Sequence, residues 1–108
     1  MGQQQTSTVL EPDTKKVTAV KYHPRWRVLG LNDDVTTMEY VVFLLMEVFR
    51  KNSQTAYQLM MEVHHKGMAT FYVGTREACE LKLEQVKDYN REFNQKLQVR
   101  MEPIEDEG

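Results

Sequence analysis

Leu31-Asn32-Asp33-Asp34-Val35-Thr36-Thr37-Met38-Glu39-Tyr40-Val41-Val42 decides how this chain folds, because one kind of periodicity gives way to another within it. Upstream, Trp26-Arg27-Val28-Leu29-Gly30-Leu31 reads as a short strand, and Pro24 biases His23 toward extended backbone just before it. Asn32-Asp33-Asp34 ends that strand. Thr36-Thr37-Met38-Glu39 then has the form of a capping box. In it the Thr36 hydroxyl accepts from the Glu39 amide and the Glu39 carboxylate reaches back to the Thr36 amide, which predicts a helix from about Thr37. Met38, Val41, Val42, Leu45 and Phe49 recur at helical spacing and define one apolar face of it.

Arg50-Lys51-Asn52-Ser53 interrupts this pattern, and a second helix follows, with Ala56, Leu59, Met60 and Val63 at i, i+3, i+4 and i+7. His64-His65-Lys66 suits a helix C-terminus, and Gly67 closes it. Met68 to Val73 reads as a strand. Gly74-Thr75 supplies a turn and an N-cap for a third helix from about Arg76 to Asn94, with Cys79, Leu83, Val86 and Phe93 along one stripe. Leu97 to Glu102 alternates apolar and polar, the mark of a strand with one buried face. The order β-α-α-β-α-β predicts an α+β domain, a three-stranded, mainly antiparallel sheet packed against three helices. Residues 1–24, rich in Gln, Thr and Lys, read as a flexible N-terminal extension, 25–102 as the domain, and 103–108 as an acidic C-terminal tail.

With 108 residues, 41% hydrophobic and 28% charged, the chain has material for one core. A formal net charge of -2 argues against an electrostatic grip on nucleic acid, so a module built on Lys15, Lys16, Lys21, Arg25 and Arg27 is a weak alternative. Cys79 is the only cysteine, which excludes an intramolecular disulfide and fits a reducing, cytoplasmic setting. The first twenty residues hold no apolar run long enough for a signal peptide or membrane span.

Two places collect chemistry: Asn32-Asp33-Asp34 at the hand-over from strand to helix, and His64 at the far end of the next helix. Each has an ordinary structural account, since Asx residues serve turns and a histidine suits the dipole at a helix end. A metal-binding hydrolase using Asp33, Asp34, His64 and His65 is the enzymatic alternative, but neither H-E-x-x-H nor a phosphate-cradling glycine loop accompanies them.

The run Val28 to Val42 resembles the N-D-D-x-T-P-M-E-(F/Y)-V signature of the ClpS family. Ala56 to Gly67 is similar to its A-x-x-(L/I)-M-x-x-V-H-x-x-G segment, and Thr75 to Lys82 to a helix start of E-x-A-E-x-K character. The resemblance covers about residues 25 to 102. It implies a non-enzymatic adaptor that binds N-degrons, free N-termini beginning with Leu, Phe, Tyr or Trp, and delivers their owners to a Clp AAA+ unfoldase. By that resemblance Asn32, Asp34 and His64 hold the α-amino group and Asp33 contacts the following backbone. Met38, Val41, Met60, Val63 and Leu97 line the pocket for the first side chain, with Met38 placed to exclude side chains branched at Cβ. Glu77 and Lys82 face the N-terminal domain of a ClpA- or ClpC-type unfoldase, and residues 1–24 match the mobile extension engaged during hand-over. The expectation is a cytoplasmic monomer without cofactor, metal, nucleic-acid or membrane partner. A histidine in the amine site implies weaker binding in acid, where a protonated ring repels the ammonium. One departure stands out: Thr37 occupies the place where the family usually has proline, which keeps open a paralogue with an altered degron or unfoldase preference.

Overall fold

The computed structural model describes residues 9–10, 16–17 and 24–105. Strands β1 (Val9–Leu10) and β2 (Lys16–Val17) pair antiparallel within the stretch read as a tail. The rest of that expected extension lies outside the described residues, as do 106–108. From residue 26 the expected order holds: β3 (Trp26–Leu31), α1 (Met38–Glu47), α2 (Ser53–Lys66), β4 (Met68–Gly74), α3 (Arg76–Phe93) and β5 (Gln98–Pro103). β3 is the middle strand of a three-stranded antiparallel sheet in the order β4-β3-β5. Pro103, assigned to the tail by sequence, is instead the last residue of β5, opposite Trp26, and the Ile104 amide donates to the Arg25 carbonyl. A proline is admissible there because β5 is an edge strand.

The register of β3 against β4 slips between Val28 and Leu29, so that Val28 faces Tyr72, Leu29 faces Thr70, and Phe71 is the extra residue of a bulge. Successive side chains of a regular strand point to opposite faces, and a bulge suspends that rule. Phe71 and Tyr72 both pack into the helix-covered core, each against the Phe49 ring, at centroid separations of 5.3 and 6.5 Å. The Phe71 ring is fully buried over Gly30, where a Cβ would fall on the ring atoms.

α3 crosses all three strands, α2 packs on β4, and α1 packs on α2. The core face of α1 is wider than its spacing predicted. Tyr40 and Leu44 are buried beside Val41 and Leu45, while Met38 is 42% exposed. The reason is a second neighbour. Phe43 meets Tyr89 and Phe93 of α3 edge-on at 5.6 and 5.4 Å, and the Tyr40 hydroxyl donates to Asn90 Oδ1. Asn90 in turn donates to the Leu97 carbonyl, tying α1, α3 and the start of β5 into one relay. Burial, with Glu92 and Tyr89 nearby, pushes the Tyr40 phenol up to about 12, so it stays a donor.

Replacing Gly30 with alanine forces the Phe71 ring out of its seat. We expect Gly30→Ala to cost about 1–3 kcal/mol, the usual range for overpacking a core, read as a lower urea midpoint. A variant that unfolds at the wild-type midpoint would show that the ring relaxes freely.

Candidate functional site

Asp33 organises the segment that joins β3 to α1. Its Oδ1 accepts from the amides of Val35 (2.8 Å) and Thr36 (2.6 Å), and its Oδ2 accepts from the Thr36 hydroxyl (2.7 Å). The expected capping box is therefore displaced by one residue. Thr36 is spent on Asp33, and it is the Thr37 hydroxyl that accepts from the Tyr40 amide as N-cap. Sequence reasoning chose Thr36 because it saw Glu39 three residues on; the Asp33 carboxylate competes for that hydroxyl and wins. Thr37 has φ -75°, within the range a proline ring imposes, so the departure from the family signature preserves the backbone path and adds a cap.

At the other side, α2 ends on Gly67 at φ 91°, a left-handed C-cap that glycine adopts without penalty. The Asn32 amide donates to the Gly67 carbonyl at 3.0 Å, fastening the end of β3 to the end of α2. This bond brings residues 32 and 64 to one place although they are far apart in sequence.

Between them lies a cavity of about 300 Å³. Asn32, Asp33, Asp34 and His64 supply its polar lining, and Met38, Val41, Met60 and Val63 its apolar one. Eight of the nine residues expected at the peptide site thus line one cavity. Thr36 also lines it and was missed, because the sequence assigned it only a capping role; its signal was the Asp33-x-x-Thr36 spacing of a side-chain-bonded turn. Leu97 is the exception. It is buried in the same apolar cluster as Val41, Met60 and Val63 but lines a different cavity, between α3 and β5, where its carbonyl accepts from Asn90 of α3.

Among the described residues, the side chains of Asn32, Asp34 and His64 take part in no hydrogen bond or ion pair, whereas the Asp33 carboxylate accepts three hydrogen bonds within its turn. Burial pulls the Asp33 carboxyl upward, but the Thr36 hydroxyl and the amides of Thr36 and Val35 together outweigh it and hold it below the ordinary carboxylate range. Asp33, expected at a bound chain's backbone, lines the cavity, and its side chain builds the turn that presents Asn32 and Asp34. His64 and His65 are stacked edge to face at 5.1 Å, yet among the described residues no group of three or more His, Cys, Asp or Glu is disposed to hold a metal ion.

Glu77 and Lys82, expected to act together, are separated by the geometry of α3. Five residues apart, they project in different directions. Glu77 lines a second cavity, about 680 Å³, between α3 and β5. Lys82 donates to the Val48 carbonyl at 2.7 Å, over the Phe49 and Tyr72 rings, and so caps the C-terminal end of α1, which has no basic residue in its own last turn. Burial, then the charges of Arg50 and Lys51, lowers its pKa. The second cavity is larger, and two of its three glutamates are paired, Glu80 with Arg76 and Glu84 with Lys87. The smaller one joins an apolar wall to convergent acceptors without partners among the described residues, the usual make-up of a recognition site.

Fold and site together define a small binding domain. Residues 21–100 match the family model described as ATP-dependent Clp protease adaptor protein ClpS. An ATP-dependent Clp protease adapter protein ClpS from Deinococcus radiodurans is 44% identical over 104 residues, covering 95% of this chain and 85% of that one. One from Burkholderia thailandensis is 41% identical over 98 residues, covering 91% of each. Among solved structures, Agrobacterium tumefaciens ClpS2 bound to L-phenylalaninamide superposes with a TM-score of 0.73 at 32% identity, over 77% of this chain and 100% of that one. The chain belongs to the ClpS family. It is a Clp protease adaptor rather than an enzyme. Among the described residues no helix is long and apolar enough to cross a membrane.

Asp33→Ala should destabilise the domain by about 1 kcal/mol, the typical net value of such bonds. Because the native carboxyl is held low, this advantage is present above the ordinary carboxylate pKa and is lost as pH falls through the lowered native value. The gap between the urea midpoints of wild type and variant should be widest at pH 7 and narrow as the pH falls below the ordinary carboxylate range; a constant gap would remove the charge from the account.

Proposed function

We propose that the cavity receives the first residue of an N-degron, and that the protein carries its owner to a Clp unfoldase in the cytoplasm. The observation that carries this reading is the convergence of Asn32, Asp34 and His64, free of partners among the described residues, at an apolar cavity of about 300 Å³. That volume is at the low end for small-molecule sites and suits one side chain. An α-amino group, with a pKa near ~8, is largely an ammonium at neutral pH and has three donors to satisfy. Asp34 supplies charge, Asn32 a carbonyl oxygen, and His64 a ring nitrogen. The C-terminal end of α2 favours a cation at the same place, and the opposing N-terminal end of α1 is softened by its Thr37 cap and Glu39. An internal peptide segment has no such amine, so the polar rim distinguishes a chain end. The ligand of the Agrobacterium tumefaciens structure, L-phenylalaninamide, has the two features this site would recognise, a free amine and an aromatic side chain.

Burying an aromatic side chain of about 150 Å² at ~25 cal/mol per Å² contributes on the order of 4 kcal/mol. Charge-assisted hydrogen bonds add about 1.5–3 kcal/mol each, against an association cost of about 4–15 kcal/mol. The balance is modest affinity, which suits a carrier that must release. Met38, half-exposed at the rim of the same cavity, would exclude side chains branched at Cβ. The proline-like path at Thr37 supports the family's usual degron preference over an altered one.

Fluorescence titration with peptides that differ only in their first residue tests the reading. Peptides beginning with Phe, Leu, Tyr or Trp should bind, and their acetylated forms should not; equal binding would end it. Met38→Ala should admit peptides beginning with Ile or Val, and unchanged selectivity would remove the gatekeeper role. For delivery, Glu77 belongs to the surface offered to the unfoldase, whereas Lys82 supports α1. Glu77→Ala should weaken unfoldase binding at wild-type stability, and Lys82→Ala should lower the urea midpoint; the reverse pattern would refute this division.

A further inference from the structure

The proposed site accounts for one residue of a bound chain, yet an apolar strip leads away from it. The cavity joins the first turn of α1 to the last turns of α2 through Met38 and His64. The opposite ends of these helices are held together by residues 48–52. Two helices close at both ends run antiparallel side by side. On α1, Met38, Val42 and Met46 follow one another at i, i+4 and i+8, and on α2, Tyr57 and Met61 lie on the face that ends in His64. Met46 is 39% and Tyr57 55% exposed, and Val42 and Met61 are half-buried against the core between them. Scattered single apolar residues on a surface mean little, but a contiguous strip marks an interaction site.

Resting on the N-degron reading, we propose that this strip is a second subsite, occupied by residues three to five of the bound chain. Continuity selects this occupant: Met38 both lines the cavity and heads the strip, so a chain whose first residue fills the cavity lies against the strip's first residue. Length fits as well. Eight helical residues span about 12 Å, the reach of three to four extended residues. The chemistry matches an adaptor that meets many different sequences. Methionine is flexible and polarizable and adapts to varied apolar partners, so the strip favours apolar residues without selecting one. The first residue is thus tested for identity and the following ones for greasiness.

The test uses the full chain and peptides that begin with phenylalanine and differ only at residues three to five, either leucines or serines. The leucine peptide should bind about fivefold tighter, equivalent to about 1 kcal/mol. In a Met46→Gln, Tyr57→Ser double variant that difference should vanish, while phenylalaninamide, which is too short to reach the strip, binds as before. Equal affinity of the two peptides for wild type overturns the subsite, as does a preference that survives in the double variant. If the double variant instead loses unfoldase binding or self-association with peptide preference intact, the strip belongs to that partner. Should neither peptide outbind its acetylated form, the N-degron reading itself falls.

Discussion

Phe71 seated on Gly30 is the contact from which the rest of the domain is built. β3 is the middle strand, and the absence of a side chain at its fifth residue lets the Phe71 ring lie directly on the sheet. The bulge that puts Phe71 there also turns Tyr72 inward, so two adjacent rings receive Phe49 from the end of α1. Lys82 reaches over Phe49 and Tyr72 to the Val48 carbonyl, and α3 thereby closes the same corner. The C-terminal end of α1 is fixed by this corner, and the position of its N-terminal end follows.

That N-terminal end borders the cavity of about 300 Å³. The cavity is assembled from two chain reversals, the Asp33 turn and the Gly67 cap, joined by the Asn32 amide and the Gly67 carbonyl. Each reversal satisfies its own polar groups, which leaves Asn32, Asp34 and His64 free of partners among the described residues. The difference between neighbouring aspartates is a consequence of geometry: Asp33 is bonded three times within the turn, whereas the Asp34 side chain has no hydrogen-bond partner among the described residues.

Polar groups that serve the fold and polar groups that serve binding look alike in a sequence. Lys82 shows the same ambiguity. Read along α3 it is a surface charge five residues from Glu77, but in three dimensions it is the terminal support of another helix. A family resemblance transfers positions and cannot say which atoms at those positions are already spent.

The sequence by itself determined the order of the elements, the antiparallel sheet and eight of the residues around the cavity, because helical and strand periodicities, caps and turns are local and the family signature is long. Residues 9–10 and 16–17 lay within a stretch without periodicity, where a two-residue ladder leaves no pattern to read. The Asp33–Thr36 bond that leaves Thr37 to cap α1 is local and was legible in its spacing, whereas only the tertiary structure decided that Leu97 lines the cavity between α3 and β5 and that Tyr40 and Leu44 are buried. In both of these the deciding partner comes from outside the local pattern: Asn90 bonding the Leu97 carbonyl, and α3 covering a second side of α1. Local rules choose a side chain's conformation, and competition among partners brought together by the fold chooses its use.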